Sequence, residues 1–301
     1  MAQVWRCSGL RWWPQGPVLV WDGGRRSALP RGREVAFRVV EGGVRTCVGA
    51  RGHACPVRAE VPARSTGARC EQCARMDRAH SVAADTAADD PRPYHVYLAW
   101  FGPGLVKVGI TAVQRGSARL LEQGAVCFSW LGAGPLMAAR RTEEVLRAAL
   151  GVPDRIPYAD KRAVRAALPG SGAERAREIA ELHARAVGLP GWPESLAREP
   201  FRPVDHTAVF GFEGLRPAVG QVSELVAGGG VRGELVAAAG PDLHLAGGDG
   251  QVVVLDTRLM AGWGLVPAPP GGPGGRSRRS PETPLPTRAF RRDVPAQEGL
   301  F

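Results

Sequence analysis

Two short apolar strands with a lysine in the second constrain this chain more than any other feature. Val106-Lys107-Val108-Gly109-Ile110-Thr111 follows Tyr94-His95-Val96-Tyr97-Leu98-Ala99-Trp100. The tight Phe101-Gly102-Pro103-Gly104 connection between them predicts a β-hairpin. Of 39 lysines and arginines only two are lysine, Lys107 and Lys161, so the lysine inside this hairpin stands out against a strong arginine bias. Arg119 comes next along the chain, and Glu143 and Glu144 follow on an expected helix. The order Tyr97, Lys107, Arg119, Glu143 is the first candidate for a functional constellation.

The rest of the chain divides around that hairpin. Residues 1–80 are β-rich at first, with extended runs at Pro17 to Trp21 and Glu34 to Val40, and then dominated by cysteines from Cys47 to Met76. Residues 81–93 are a polar linker. Residues 94–190 alternate strand and helix. After the hairpin, helices are expected over Gln114 to Gln123, Leu136 to Leu150, Ala159 to Leu168 and Ala173 to Val187, with a strand at Ala125 to Leu131. His183, on the Arg/Glu-rich last helix, is expected to face solvent. Residues 200–267 return to short strands between glycine-rich turns, a small antiparallel β region that would pack with the N-terminal strands, since neither piece makes a core alone. Residues 268–301 have the Pro, Gly, Arg and Ser content of a disordered tail. The fold class is therefore α+β, with an αβ core flanked by β-rich parts.

Composition narrows the partner. A formal charge of +10 and a pI near 10.1 point to an anionic partner, with DNA or RNA first. Arginine can also serve solubility alone. No run approaches the roughly 20 apolar residues of a membrane span, and the first residues lack the apolar stretch of a signal peptide. A cytoplasmic protein with no membrane partner is expected.

Four cysteines have the makings of a metal site. Cys70-Glu71-Gln72-Cys73 is a C-x2-C pair, and Cys47 and Cys55 lie upstream, with His53 able to replace Cys55. Zn2+ takes a closed tetrahedron of soft ligands, and a C-x2-C turn presents two thiolates to one side of it. The segment between the pairs is rich in Gly, Pro, Arg and Ser, so a structural zinc would supply order that a core cannot. Unrelated reduced thiols are the plain alternative. Cys127 reads as a small buried hydrophobe, and Cys7 has no partner.

Val96-Tyr97 followed by Lys107-Val108-Gly109 resembles the GIY-YIG nuclease core, in the variant whose second motif begins with lysine. The wider context, including Arg119 and Gln123-Gly124-Ala125, is similar to a bacterial domain-of-unknown-function family (number 2797). In that family a cysteine-bearing, zinc-ribbon-like segment precedes a GIY-YIG-like domain. The resemblance covers residues 47–165. It implies catalytic roles for Tyr97, Lys107, Arg119 and Glu143, substrate contacts from His95, Gly109, Thr111 and Gln123, and Mg2+ on Glu143 or Glu144. His95 stands where the first motif has glycine.

The chemistry asks for the same groups. Phosphodiester hydrolysis needs an activated water, charge relief on the phosphoryl oxygens and a metal at the leaving oxygen. One carboxylate can hold a Mg2+ that keeps most of its waters. Arg119 would offer a guanidinium fork to a phosphate. Tyr97 would position or deprotonate the water, or hydrogen-bond the phosphate. Lys107 would bind phosphate as a point charge, or act as a base if desolvation lowers its pKa. Each also has an ordinary role available: Tyr97 in a half-buried strand, Arg119 solvated, Gly109 in close backbone packing. Glu143 and Glu144 could simply pair with Arg140, Arg141 or Arg147 for about 0.3–0.5 kcal/mol each. The expected function is nucleic-acid binding with a metal-dependent phosphodiesterase site. The alternatives are a non-catalytic DNA- or RNA-binding module and a protein-recruiting scaffold.

Overall fold

The computed structural model describes residues 3–79, 90–268 and 283–289. The chain falls into two compact units, the first from residues 1–81 and 218–290, the second centred on residues 82–217. In chain order the elements are β1 (Trp5–Trp13), β2 (Gly16–Trp21), β3 (Arg26–Ala28), β4 (Glu34–Val39) and α1 (Glu71–Arg78). Then come β5 (Pro93–Trp100), β6 (Val106–Ala112), α2 (Ala118–Gln123), β7 (Cys127–Pro135), α3 (Leu136–Leu150), α4 (Tyr158–Val164) and α5 (Gly172–Val187). Next are β8 (Ala197–Arg198), β9 (Val204–Asp205), α6 (Thr207–Phe210), β10 (Ala218–Val222), β11 (Gly229–Ala239) and β12 (Asp242–Ala246). The last are β13 (Val252–Asp256), β14 (Gly264–Pro267), β15 (Thr283–Pro284) and β16 (Thr287–Ala289).

The first unit is one sheet drawn from both ends of the chain, in the order β16-β10-β13-β12-β11-β4-β14-β1-β2-β3, with β15 added to β11. Most neighbours are antiparallel; β10 with β13 and β11 with β15 are the parallel pairs. Strand β4 shows why these residues extend: Glu34-Val35-Ala36-Phe37-Arg38-Val39 alternates, and Val35, Phe37 and Val39 are the buried set. The strands expected over residues 200–267 are divided between the units. Val204–Asp205 pairs with β7, and the strands from Ala218 onward join the N-terminal ones. Most of the tail and of the linker lie outside the described residues. Within the tail, however, β15 and β16 pair with β11 and β10, and Leu285 is buried. β10 is otherwise an edge strand, and β11 runs past the end of β12 at Gly229 and Gly230, so each leaves unpaired backbone groups that a short extended segment satisfies.

The second unit is a five-stranded sheet, β6-β5-β7-β8 with β9 also on β7. Its centre is the expected hairpin. The turn closes through Phe101 N–H to Leu105 O and Leu105 N–H to Gly102 O, both 2.9 Å, with Gly104 at φ 70°. Helix α3 has the bounds that the apolar spacing predicts, and it packs with α5 against the central strands. Tyr97, Ala99, Phe101, Leu120, Ala125 and Phe128 form a buried cluster that seats α2. His183 corrects the expectation for α5. It is 5% exposed, edge-on to Phe201, because it lies one helical turn beyond buried Ile179 on the same face.

Candidate functional site

The four cysteines converge. The sulfur atoms of Cys47, Cys55, Cys70 and Cys73 all lie within 4.8 Å of one another, and Cys55 and Cys70 are 4.0 Å apart. A tetrahedral zinc with Zn–S near 2.3 Å sets its sulfurs about 3.8 Å apart, so the cage fits that ion or a similar soft cation. The long Cys47–Cys55 spacing works because a miniature hairpin is folded inside it. Ala50 and His53 exchange backbone hydrogen bonds of 3.0 and 2.9 Å across Arg51 and Gly52. Both turn residues have positive φ, 54° and 83°, as a two-residue type I′ turn requires. The loop therefore returns Cys55, not His53, to the cluster. Gly49 is obligatory here, since a Cβ at that position would lie 1.8 Å from His53 O.

Cys70 precedes α1 and Cys73 lies in its first turn. The Cys47 sulfur accepts backbone N–H groups from Gly49 (3.3 Å) and Cys70 (3.2 Å). Hydrogen bonding by the Ala59 backbone lowers the Cys55 thiol to about 7, while burial and the neighbouring sulfurs push Cys73 up to about 12. A cation is what would let all four ionise together. The base of the loop is pinned by Arg45, 2% exposed. It donates to the carbonyls of Ala261, Pro62, Ser65 and Arg258 at 2.6–2.8 Å. Cys7 and Cys127 stand apart, and burial pushes both thiols up to about 12.

The second unit holds the constellation centred on Tyr97. Strand register sets Tyr97 opposite Gly109, His95 opposite Thr111 and Ala99 opposite Lys107. Cross-strand pairs share a face and side chains alternate, so His95, Tyr97, Lys107, Gly109 and Thr111 lie on one side. Gly109 makes room for the phenol: a Cβ there would come within 2.4 Å of the Tyr97 hydroxyl oxygen. That oxygen accepts a hydrogen bond from Gln123 Nε2 at 2.9 Å. Tyr97 is 1% exposed, and burial raises its pKa, so it keeps its proton and can donate it in a further hydrogen bond.

Lys107 is 8% exposed and donates to the Asp154 carbonyl at 3.0 Å. The 152–154 loop is held beside β6 by Val108 N–H to Pro153 O, 3.1 Å. Burial first, and then the charge of Arg119, brings the Lys107 ammonium down to about 8, against the opposing pull of Glu143 and Asp154. Burial raises Glu143, offset chiefly by Lys107. Arg119 and Glu143 also act on Tyr97 in opposite senses. The four groups thus lie within electrostatic range of one another. Glu143 is half-buried and Glu144 exposed, which favours Glu143 as the inward carboxylate. Arg119 stays half-open to solvent, 4.0 Å from a Glu122 carboxylate that Arg115 already holds at 2.7 Å.

The remaining expected contacts are arranged differently. His95 stacks on Trp130, centroids 4.3 Å apart, with Nδ1 2.9 Å from Glu199. Thr111 is buried, and its hydroxyl has no hydrogen-bond partner among the described residues. Two residues of this neighbourhood are absent from the sequence-derived set. Asp154 brings a second carboxylate into the field of Lys107 and Glu143. Lys161 is 4% exposed; its ammonium donates to Gln123 O at 3.1 Å and sits 3.8 Å from the Phe101 ring centroid. A cation on the last carbonyls of α2 steadies the helix that carries Arg119 and Gln123. Its rarity was the one signal that could have found it: both lysines of the chain flank this site.

A two-unit α+β protein with a four-cysteine cage, and with a hairpin Tyr and Lys set near an Arg and a Glu from two helices, is the class these observations define. The family described as "Protein of unknown function (DUF2797)" matches residues 32–265, and the chain belongs to that family. No curated protein and no solved structure matches it. Among the described residues no helix is long and apolar enough to cross a membrane.

Proposed function

We propose that this protein binds nucleic acid and that the Tyr97–Lys107–Arg119–Glu143 constellation is a GIY-YIG-like phosphodiesterase site. The carrying observation is the nearly buried lysine, brought down to about 8 beside an arginine and a carboxylate. Perturbed groups of this kind gather where proton transfer is done. In this reading Arg119 receives the phosphate through its half-open guanidinium. Tyr97, its hydroxyl oriented by Gln123, donates to a phosphoryl oxygen, and neutral Lys107 takes the proton of the attacking water. Glu143 would hold a Mg2+, with Asp154 as a second carboxylate. When bound, that ion supplies charge relief at the leaving oxygen. The cysteine cage, with four thiolates and no open position, has a structural zinc as its proposed occupant. A cytoplasmic site of action is part of the same proposal.

The test is cleavage of labelled DNA and RNA of several structures, with and without Mg2+. Glu143→Ala is expected to lose roughly 100-fold or more of the cleavage rate while retaining its melting temperature. Equal cleavage by the two proteins would sink the enzyme reading. One observation favours a second reading: at 1% exposure Tyr97 is as much core as site. A non-catalytic binding module on the same scaffold predicts salt-sensitive retention without cleavage by the wild type.

A further inference from the structure

A second feature of the charge distribution lies in the first unit, away from that constellation in the chain. A cleft of about 810 Å3 opens between the β1–β2 hairpin and the cysteine loop. Four arginines line it, Arg6, Arg11, Arg58 and Arg69, against one carboxylate, Asp22, and Trp21 contributes an aromatic wall. The β1 side of this lining depends on a bulge. The register with β2 slips between Cys7 and Gly9, so Arg6 and Ser8 face the cleft and then Arg11 does, while Cys7 and Trp12 are the buried residues. Without the slip, Arg11 would share a face with buried Cys7. The other side depends on the cysteine loop, where Arg58 holds φ at 46°, a conformation that a non-glycine residue adopts at some cost.

These arginines are not equally available. Arg6 is engaged with Thr46 and with Asp22 (3.7 Å), and Arg69 with Gly49 O (2.9 Å) and Asp77 (3.5 Å). Arg11 and Arg58 are exposed, and their guanidinium groups make no hydrogen bond or ion pair among the described residues. The Trp21 indole is fixed by its N–H to Ser27 Oγ, 2.9 Å. Two unengaged cations facing each other across a concavity with a held aromatic ring match one polymer, a chain of phosphates with bases free to stack. We propose that this cleft binds single-stranded nucleic acid, with Arg11 and Arg58 on successive phosphates and Trp21 stacked on a base. A duplex keeps its bases paired and stacked away from such a ring, whereas a single strand can turn one into it.

The inference rests on the nucleic-acid part of the proposed function and not on its chemistry. It is therefore tested in the full-length Glu143→Ala background, by fluorescence anisotropy of a labelled oligonucleotide in EDTA-free buffer across a salt series. Neutralising both arginines (Arg11→Gln with Arg58→Gln) should weaken single-strand binding about tenfold or more and flatten the slope of log K against log salt by about 1.4. Trp21→Ala should weaken it roughly tenfold and Trp21→Phe should restore most of the loss. Melting temperatures serve as the control for folding. Unchanged affinity and slope in the double variant, with the wild type binding, would overturn the cleft assignment. So would a matched duplex that binds more tightly than the single strand and loses as much. Absent cleavage by the wild type bears only on the second unit; absent binding by the wild type sinks both.

Discussion

The cysteine loop of the first unit and the hairpin of the second reach order by opposite means. Residues 47–73 contribute few large apolar side chains, and the loop's own cluster is Cys47, Ala50, Cys55, Val61 and Cys73. The hairpin buries Tyr94, Val96, Tyr97, Leu98, Trp100 and Phe101 almost completely. One segment is organised by converging sulfurs and a single arginine on four carbonyls, the other by area removed from water. The lesson is that a polar, glycine-rich segment can be as definite as a core, but its order then hangs on a handful of atoms. The largest expected effect in the molecule follows. Cys73→Ser should reduce bound zinc, measured by plasma emission, from about one ion per chain to background. It should also open residues 47–79 to hydrogen exchange while the amides of β5 and β6 stay protected. Retention of zinc, or loss of protection in both units together, would break the comparison.

The hairpin's own weak point is an ammonium within its apolar surroundings. Lys107 titrates near 8 in the folded protein against an ordinary value of 10.5. A lysine lowered by burial destabilises the fold fully below its folded value. The penalty fades as pH rises from about 8 to 10.5, where the unfolded chain binds more protons than the folded one, and it vanishes above. At about 1.4 kcal/mol per unit the upper limit is about 3 kcal/mol. Lys107→Met should therefore be more stable than wild type to urea at pH 7, by up to that amount, with the two converging by pH 10.5. The variant should also lose cleavage, whereas the wild-type rate should climb through pH 8 as the amine loses its proton. A rate that falls through pH 8 would reassign Lys107 from base to phosphate-binding cation and sharpen the contrast between a stabilising cage and a strained site.

What could be read from the sequence follows the range of each interaction. The hairpin, its turn and the helix from Leu136 to Leu150 declare themselves in local periodicity; the structure places the helix with those bounds and each strand within one residue of them. The C-x2-C pair is equally local. Cys47 and Cys55 were harder, since a spacing of that length suits metal binding only because Ala50 to His53 folds into a turn of its own. Asp154 and Lys161 left no local trace. Asp154 offers Lys107 a backbone carbonyl, which any residue could supply, and Lys161 reaches the end of a helix 38 positions earlier. The polarity of His183 argues for solvent, but its spacing from Ile179 places it on the buried face of the helix, and the period prevails.

The smallest change with a clear expectation is a single methyl group at Gly109. The two units use glycine for different ends: Gly49 permits a turn in the cage with φ at 80°, while Gly109 lies in an ordinary strand and is needed only for the space above it. Gly109→Ala would set a Cβ 2.4 Å from the Tyr97 hydroxyl and 2.5 Å from its ring carbon, so the phenol has to move. Overpacking of this kind costs about 1–3 kcal/mol. It would also break the 2.9 Å contact with Gln123. Tyr97→Phe in the same protein removes the hydroxyl but keeps the ring. If the Tyr97 hydroxyl works on a phosphoryl oxygen, both variants lose cleavage and only Gly109→Ala loses stability. If Tyr97 is core alone, Tyr97→Phe cleaves like wild type, and the resemblance of the hairpin to a nuclease motif is one of packing rather than chemistry.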